Sequence, residues 1–291
     1  MRELGTGWDN RAFVAIDREG AEWALRFPQR QLGADMMELE LASLGEVARQ
    51  LGDVGLQISN PELRGRAGSS YPWSFGGYRL IAGKTACRVD LPLPAARPGA
   101  RPLARLLARL HGLARSAELE RVPSRNLWAA PRWERRRLLF EERLAELEAA
   151  ARLGGAAGAW LDRWRQLDTR IASSAMQESQ SIVHGDLYGR HVCVDDTCMP
   201  VGVIDWGDLH WGDAAVDLSL AWSYFEGPAR AEFLGVYADE SGTELADGVR
   251  ARAQQRALEY GVLLCHFGVQ IEDAAMERLG RTALALALRS T

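Results

Sequence analysis

Lysine occurs only once, at Lys84, among the 35 lysine and arginine residues of this 291-residue chain. Any role that usually falls to a lysine must therefore be taken by an arginine or by Lys84 itself. The formal net charge of −4 gives no reason to expect nucleic acid as a partner, because binding to phosphate backbones needs an excess of basic side chains. Residues 205–291 hold 14 acidic residues and 7 arginines, which suits either solvated helix faces or a surface that attracts a cationic small molecule.

Cysteine is also scarce, and the pattern excludes a disulfide framework. The four cysteines are Cys87, Cys193, Cys198 and Cys265, and no two of them form a CxxC pair. A zinc site could be imagined from His191, Cys193 and Cys198, but only three ligands are local and no second cluster supplies a fourth. Packing roles for the cysteines are favoured.

Long apolar runs are missing, so no segment predicts a membrane span. The first five residues show no apolar core of a signal peptide, and we expect the chain in the cytoplasm. A hydrophobic content of 47% and a charged content of 25% are ordinary for a globular protein of one large domain or two modest ones. Nothing in the composition indicates an oligomeric state.

The first eighty residues predict strands around one helix. Residues 12–16 and 22–27 flank the turn signal 17–20 and predict a hairpin. Residues 35–51 carry apolar side chains at helical spacing. Residues 71–81 are aromatic and β-prone, with a break expected at two adjacent glycines.

The chain changes character after a linker near residues 81–84. Proline-rich sequence is followed by leucine and tryptophan stripes at helical spacing, and a polar break is expected over residues 239–248. Three short strands are predicted at residues 181–184, 191–195 and 201–205. The pattern indicates an α+β chain with a small mixed lobe, residues 1–83, and a large helical lobe, residues 84–291.

The block from His184 to Gly207 carries the strongest chemical signal. Asp186 stands five residues before His191, and Asp205 follows on the next predicted strand. Protein kinases place a catalytic-loop aspartate, a metal ligand and the aspartate of an Asp-Phe-Gly turn in this order. The spacing predicts phosphoryl transfer, with Asp186 accepting or orienting a hydroxyl proton and with His191 and Asp205 as Mg²⁺ ligands.

Other interpretations of these residues stay open. Asp186 alone would suit a tight turn, and Asp205 alone would suit a strand-end cap. Metallophosphatases use similar turns, but they need further histidine and asparagine ligands, and the chain has five histidines in all. Because imidazole is an unusual Mg²⁺ ligand, His191 could coordinate weakly, act through water or bind a phosphate.

Two neighbouring residues are expected to hold the loop rather than to react. His184 is placed to bind backbone carbonyls. Asp217, twelve residues after Asp205, is placed to accept backbone N–H bonds and to pin the catalytic loop.

Candidate phosphate contacts lie near the N-terminus. Gly5 and Gly7 flank a turn whose backbone N–H groups could approach a nucleotide. Arg26 on the next strand is the candidate for gripping phosphates, and the alternative is a plain surface arginine. Glu40 is the expected partner of Arg26, and Glu38 is the second choice.

Taken together, these segments resemble the aminoglycoside/macrolide phosphotransferase family, which shares the protein-kinase fold. The matching segments occur in family order and cover most of the chain: residues 8–10, 23–28, 71–74, 77–83, 106–113, 184–191 and 203–218.

The resemblance implies a two-lobed protein-kinase-like fold, with a small β-rich N-terminal lobe that binds ATP or GTP with Mg²⁺ and a helical C-terminal lobe that binds a small-molecule acceptor. It implies that Arg26 occupies the nucleotide-lysine position and that a linker contacts the base through Arg79, Leu80 and Ile81. The implied acceptor contacts are Asp208, Trp211, Asp213, Trp222 and Glu226.

Three departures from the family pattern bear on function. His191 and Arg26 stand where aminoglycoside kinases have asparagine and lysine, and macrolide kinases are similar to this chain there. The strand and helix that often precede the glycine turn are expected to be missing. The leading hypothesis is an antibiotic kinase linked to resistance; the alternatives are a metabolic kinase for an amino alcohol, sugar or amino acid, or a nucleotide-binding protein with little transfer activity.

Overall fold

The computed structural model describes residues 1–173 and 180–289. Its first part is built on strands and its second on helices. The strands are β1 (Arg2–Thr6), β2 (Asn10–Ile16), β3 (Glu22–Pro28), β4 (Gln57–Ile58), β5 (Pro61–Gly65), β6 (Phe75–Arg79), β7 (Lys84–Thr85), β8 (Ser181–Val183), β9 (Val192–Val194), β10 (Pro200–Val203) and β11 (His210–Gly212). The helices are α1 (Gln31–Leu51), α2 (Ala100–His111), α3 (Arg132–Ala149), α4 (Ala157–Ser173), α5 (Ala215–Leu218), α6 (Leu220–Tyr224), α7 (Gly227–Ser241), α8 (Asp247–Gln270) and α9 (Ala274–Leu288).

Five strands form an antiparallel sheet in the order β1-β2-β3-β6-β5. The predicted hairpin is confirmed, since β2 and β3 pair in unbroken register from Asn10 opposite Pro28 to Ile16 opposite Glu22. Asp17 fixes its turn by accepting hydrogen bonds from nearby backbone N–H groups and from the indole of Trp23 at 2.8 Å. The turn residues in the sequence therefore determine where the hairpin closes.

The helix α1 covers this sheet with the apolar stripe that the sequence predicts, and Met37, Leu41 and Leu44 are buried. It begins at Gln31, earlier than the predicted residue 35. The first turn lacks the apolar periodicity because it packs against backbone instead, and a Cβ added at Gly33 would lie 2.6 Å from the Asp9 carbonyl oxygen.

Two predictions about the first lobe are wrong. A strand, β1, does precede the glycine turn and pairs with β2. All of its residues are exposed, so no alternation of apolar and polar residues marks it in the sequence. The two adjacent glycines, Gly76 and Gly77, lie inside β6 rather than breaking it. They belong there because added Cβ atoms would approach the Tyr78 hydroxyl and Leu63 Cβ to 2.5 and 2.8 Å.

A second sheet, in the order β4-β10-β9-β7, carries the hairpin that follows Asp186. Its edge strand β4 comes from the first part of the chain and pairs parallel with β10, with Gln57 opposite Gly202. The strand β7 begins at Lys84 and pairs with β9. The chain thus contributes to this sheet from both sides of residue 83, and the boundary at 83 stays a prediction.

The helices enclose the main hydrophobic core. The stripe on α2 is buried as its spacing predicts, and so are most of the tryptophans on α3, α4 and the segment before them: Trp128, Trp160 and Trp164. The polar break is shorter than predicted, because α7 continues to Ser241 and α8 starts at Asp247. Among the described residues, no helix is both long and apolar enough to cross a membrane.

Candidate active site

The loop after β8 is held rigidly by backbone contacts. The His184 ring is buried, and its Nε2 lies 3.1 Å from the Ile204 carbonyl oxygen. Its Nδ1 accepts a hydrogen bond from the backbone N–H of Asp186, with 3.3 Å between the two nitrogens. Gly185 adopts φ +88°, and an added Cβ would lie 2.3 Å from the Asp208 carbonyl oxygen. Only glycine fits this position, so Asp186 is presented from a fixed turn.

Asp217 on α5 anchors the same loop from beneath. Its carboxylate accepts the backbone N–H groups of His184 and Gly185 at 2.7 and 2.9 Å and lies 3.2 Å from His111 Nε2. Complete burial would by itself raise the pKa of Asp217, but the hydrogen bond and charge of His111, with the backbone donors, outweigh it and lower the pKa. Asp217 is therefore a buried anion that the loop depends on.

Asp186 projects from this turn with 28% of its side chain exposed. Burial raises the pKa of Asp186 well above 3.8, and the negative charges of Asp208 and Asp205 add to the rise. A carboxylate with a raised pKa is a better proton acceptor than an ordinary aspartate. Asp186 is therefore suited to take or orient a hydroxyl proton.

His191 is buried beside both aspartates, and its hydrogen-bond partner fixes its tautomer. Nδ1 lies 2.7 Å from the Asp186 backbone carbonyl oxygen, which can only accept, so Nδ1 carries the hydrogen. Burial lowers the pKa of His191 to about 4, so the ring is neutral at pH 7. Its bare Nε2 then faces Asp205 Oδ2 at 3.4 Å, and two hydrogen-bond acceptors confront each other.

Asp205 follows β10 in a left-handed conformation with φ +67°, which is uncommon for a residue other than glycine. Such strain persists where function or packing holds it. Burial would raise the pKa of Asp205, but the charge of Arg26 is the largest of the effects that outweigh it, and the pKa lies below its ordinary value. With 44% of its side chain exposed, Asp205 presents an ionised carboxylate to the cleft.

Arg26 joins the two lobes at this point. Its Nη1 donates to both carboxylate oxygens of Glu40 at 2.9 Å, and its Nη2 donates to Asp205 Oδ1 at 2.6 Å. Glu40 is buried on α1, whereas Glu38 is exposed, so the geometry selects Glu40 as the partner. The guanidinium is 14% exposed, which excludes the interpretation of Arg26 as a plain surface arginine.

The donor atoms fit a divalent cation at His191 and Asp205. Among the described residues, no three His, Cys, Asp or Glu side chains form a closed metal cage. Mg²⁺ does not need such a cage, because it keeps several waters and takes one or two carboxylates together with phosphates. His191 Nε2 and Asp205 Oδ2 are both acceptors, and a cation bound to both atoms would turn their unfavourable close contact into a favourable one.

The glycine turn differs from its prediction at Gly5. Gly5 lies within β1, opposite Ala12, and an added Cβ there would meet nothing within 4 Å. Gly7 does lie in the turn, where its backbone N–H donates to the Asn10 carbonyl at 2.8 Å. At the tip, Trp8 places its ring 4.4 Å from that of Phe267 on α8. The turn therefore reaches across to the helical lobe.

The predicted linker is only partly available to a nucleotide base. Leu80 donates its backbone N–H to the Glu22 carbonyl at 3.0 Å, so that donor is already used. Arg79 belongs to β6 and stacks its guanidinium 3.9 Å from the centre of the Trp23 ring. Ile81 is buried, with 8% of its surface exposed.

The five predicted acceptor contacts stay predictions, and the structure shows that each of them already has a place in the core or an ion-pair partner. Trp211 and Trp222 are only 4% and 5% exposed in the hydrophobic core, and Trp211 donates its indole N–H to the Leu119 carbonyl. Both are packing residues. The three acidic candidates are each paired with an arginine: Asp208 with Arg125 at 3.0 Å, Asp213 with Arg252 at 2.6 Å, and Glu226 with Arg289.

Sequence reasoning missed several residues that support the loop. Tyr260 on α8 is fully buried and donates its hydroxyl to the Gly185 carbonyl at 2.9 Å. His111 connects Asp217 to the Tyr237 hydroxyl. The sequence carries a weak signal for each of them. His111 is a polar residue at the end of the apolar stripe of α2. Tyr260 lies on α8, a long helix that buries several polar side chains.

The geometry defines a class of protein before any comparison is made. A β-sheet lobe and a helical lobe meet at two aspartates and an arginine–glutamate pair, which is the arrangement of kinase-like phosphotransferases. The sequence agrees, because residues 1–255 match the family described as the phosphotransferase enzyme family, APH. The chain belongs to this family and is a small-molecule kinase by class.

Similar proteins share the sequence only distantly. The uncharacterized protein YcbJ of Bacillus subtilis (strain 168) is 25% identical over 302 residues, which cover 96% of this chain and 89% of that protein. Among solved structures, the apoenzyme of macrolide 2'-phosphotransferase MphH from Brachybacterium faecium has a TM-score of 0.62 at 20% identity, covering 97% of this chain and 90% of that one.

Two liganded structures have similar folds. The GDP and kanamycin complex of APH(2")-IIia has a TM-score of 0.66 at 20% identity, covering 98% of this chain and 92% of that one. Spectinomycin phosphotransferase APH(9)-Ia, in complex with ADP and spectinomycin, has a TM-score of 0.65 at 13% identity, covering 99% of this chain and 93% of that one. These likenesses confirm the predicted kinase-like fold.

Proposed function

We propose that this chain transfers the γ-phosphate of ATP or GTP to a hydroxyl group of a small molecule, with Mg²⁺ as cofactor. The observation that carries the proposal is the convergence of Asp186, His191 and Asp205. The His191 ring lies between the two carboxylates, with Nδ1 at 3.6 Å from Asp186 Oδ2 and Nε2 at 3.4 Å from Asp205 Oδ2. The nucleotides bound to the neighbouring folds support the choice of donor.

Asp186 takes the role at the acceptor. Its carboxylate accepts the hydroxyl proton as the acceptor oxygen bonds to the γ-phosphorus and the bond from phosphorus to the bridging oxygen of the nucleoside diphosphate breaks. The proton then passes to solvent. The rigid turn at Gly185 and the anchor at Asp217 hold the carboxylate in position, so little reorganisation is needed at the moment of transfer.

Arg26 and Asp205 take the role at the phosphates. Arg26 carries a fixed positive charge that suits phosphate oxygens, and Glu40 keeps its guanidinium oriented. His191 Nε2 and Asp205 would hold Mg²⁺, which supplies charge neutralisation on the transferring phosphoryl group. The turn at Gly7 would cover the phosphates from the side of the sheet.

Two kinds of acceptor are candidates. An antibiotic-like acceptor follows from the family resemblance and from the kanamycin and spectinomycin bound to neighbouring folds. A metabolic acceptor is favoured by the pairing of Asp208, Asp213 and Glu226 with arginines, because a polycationic aminoglycoside needs unpaired carboxylates to bind its ammonium groups.

The test is a transfer assay with the purified chain, Mg²⁺ and radiolabelled ATP or GTP against a panel of aminoglycosides, macrolides and hydroxylated metabolites. Asp186→Asn is expected to lower kcat by about 10²- to 10⁴-fold and to leave nucleotide affinity unchanged. The matched control is Asp162→Asn, which changes the same group on the exposed face of α4. Turnover by Asp186→Asn equal to that of the wild type would refute the assignment.

A further inference from the structure

A recess between α3 and α8 has an unusual charge. Three arginines line it, Arg136, Arg143 and Arg256, together with one acid, Glu259, and apolar walls such as Phe140 and Val262. Its walls therefore carry two more positive charges than negative ones.

The excess charge is incompletely paired, and the Arg136 and Arg256 side chains that carry part of it are only 14% and 18% exposed. Arg136 binds Glu259 through two nitrogens at 2.6 to 3.0 Å and leaves that carboxylate little capacity for a second partner. Arg256 also shares Glu259, with its Nη1 at 3.2 Å, while its buried Nε has no hydrogen-bond partner. In the described part of the chain, the half-exposed Arg143 forms no ion pair within 4.0 Å, although Glu142 and Glu146 lie near enough for their charges to raise its pKa against the effect of burial.

Uncompensated positive charge in a protein interior is unfavourable, because the groups lose water without gaining a counter-charge. Burial lowers the pKa of Arg136 and Arg143, which reflects this loss of water, whereas for Arg256 the nearby Tyr260, Glu259 and Asp186 outweigh burial and raise the pKa. An anionic ligand would supply the missing charge. The recess is thus built to be completed from outside the chain.

Its position relates it to the acceptor side of the active site. The Arg256 guanidinium lies 4.0 Å from the centre of the Tyr260 ring, one helical turn further along α8. The Tyr260 hydroxyl bonds to the carbonyl of Gly185, the residue before Asp186. Arg256 also lies close enough to Asp186 for its charge to lower the pKa of that carboxyl against the stronger effect of burial. Arg256 therefore connects the recess to Asp186.

We propose that Arg256 and Arg143 form the anchoring subsite of the acceptor, and that the acceptor is a hydroxylated small molecule with an anionic oxygen group, of the carboxylate class. The inference rests on the proposed function and narrows its substrate. The anion binds the two arginines and completes the pairing of the recess, while a hydroxyl of the same molecule lies at Asp186. The transfer step is unchanged, with the hydroxyl proton leaving to Asp186 and the nucleoside diphosphate leaving from phosphorus.

Matched acceptors test the charge. Glucuronate, glucose and glucosamine form one series, and glycerate, glycerol and serinol form another, each with an anionic, a neutral and a cationic member. Steady-state transfer with Mg²⁺-ATP or Mg²⁺-GTP is expected to give the lowest KM for an acid in each series, and titration calorimetry without nucleotide is expected to detect the acids alone. Glycerol phosphate distinguishes a phosphate ester from a carboxylate as the anion.

The variants identify the residue. Arg256→Gln is expected to raise the KM of the acid by about 30-fold or more, while its effect on the neutral member stays within about threefold. Arg143→Gln, at a half-exposed position less critical for folding, is expected to raise the same KM by about tenfold. Arg278→Gln removes one charge from the exposed face of α9 and is the control. A purely structural role would lower kcat equally for all three members of a series.

The outcomes separate this inference from the proposed function. Transfer that prefers the neutral or cationic member, with a KM unmoved by Arg256→Gln and Arg143→Gln, overturns the subsite and leaves the kinase intact. Failure to transfer phosphate to any acceptor counts against the proposed function. The calorimetry then decides the subsite by itself, since binding of glucuronate or glycerate that both variants abolish supports it, and absence of binding overturns it.

Discussion

Arg26 Nη2 lies 2.6 Å from Asp205 Oδ1, although the two residues are 179 positions apart in the sequence. The same guanidinium binds both oxygens of the buried Glu40. One arginine therefore links β3, α1 and the end of β10.

Two substitutions of Arg26 distinguish its contribution to the stability of the fold from its contribution to nucleotide binding. Arg26→Ala leaves Glu40 as an unpaired buried carboxylate, and we expect the free energy of unfolding to fall by about 3 to 5 kcal/mol. Arg26→Lys keeps the charge but cannot bridge two carboxylates, and we expect a smaller loss of stability with a KM for nucleotide raised about tenfold. Urea denaturation and steady-state kinetics measure the two effects.

The double variant Arg26→Ala with Glu40→Gln is the control for this interpretation. Removal of the buried negative charge should recover most of the lost stability, while nucleotide binding stays weak. If the double variant is as unstable as Arg26→Ala alone, the destabilisation does not come from an unpaired Glu40.

A substitution at Asp205 tests whether this residue binds Mg²⁺. Asp205→Asn removes the negative charge that faces His191 Nε2, so we expect weaker binding of the Mg²⁺-nucleotide and a Mg²⁺ requirement shifted to higher concentration by about tenfold or more. Titration of activity against Mg²⁺, with Asp162→Asn as the matched variant, measures the shift. The same Mg²⁺ dependence in both variants would exclude Asp205 as a ligand.

The catalytic block could be predicted from sequence because its members lie within about twenty residues of one another. A turn and a short hairpin have fixed local geometry, so they bring Asp186, His191 and Asp205 together independently of the fold of the rest of the chain. The partners of these residues come from elsewhere. Tyr260 and Arg256 belong to α8, and nothing in local periodicity tells which face of a long buried helix meets a loop seventy residues earlier.

The same limit explains the errors in the first lobe. The strand β1 has no buried residue, so hydrophobic alternation, on which strand prediction depends, is absent from residues 2–6. The family resemblance implies that Trp211 and Trp222, which follow Asp205 closely in the sequence, contact the acceptor, yet both are buried in the hydrophobic core. Proximity in sequence locates an element but does not orient its side chains.

Asp217 yields a prediction about acid stability. Its pKa in the folded protein is lowered from 3.8, so the ionised carboxylate stabilises the fold above that pH, and this stabilisation is lost as the pH falls through the folded value. Asp217→Asn should cost about 3 kcal/mol near neutral pH, because an amide group would turn a donor toward the backbone N–H groups.

The difference between wild type and Asp217→Asn should therefore shrink as the pH is lowered from about pH 6 to about pH 3. Urea denaturation of both proteins at a series of pH values measures it, with Asp162→Asn as a reference for general acid effects. A difference that stays constant over this range would mean that the pKa of Asp217 is the same in the folded and the unfolded protein, which would contradict the predicted lowering.

The contact between Trp8 and Phe267 leads to a prediction about nucleotide release. Trp8 is 52% exposed at the tip of the turn, and its ring meets that of Phe267 edge-on at 4.4 Å. Edge-to-face pairs contribute about 0.5 to 1.5 kcal/mol, so Trp8→Ala should weaken nucleotide binding about two- to tenfold, chiefly through faster dissociation, with little change in the free energy of unfolding.

The control Leu4→Ala removes an exposed apolar side chain from the adjoining strand. A double-mutant cycle with Phe267→Ala, read by stopped-flow release of a fluorescent nucleotide, isolates the pair, and additive effects of the two substitutions would show that the turn does not close through this contact.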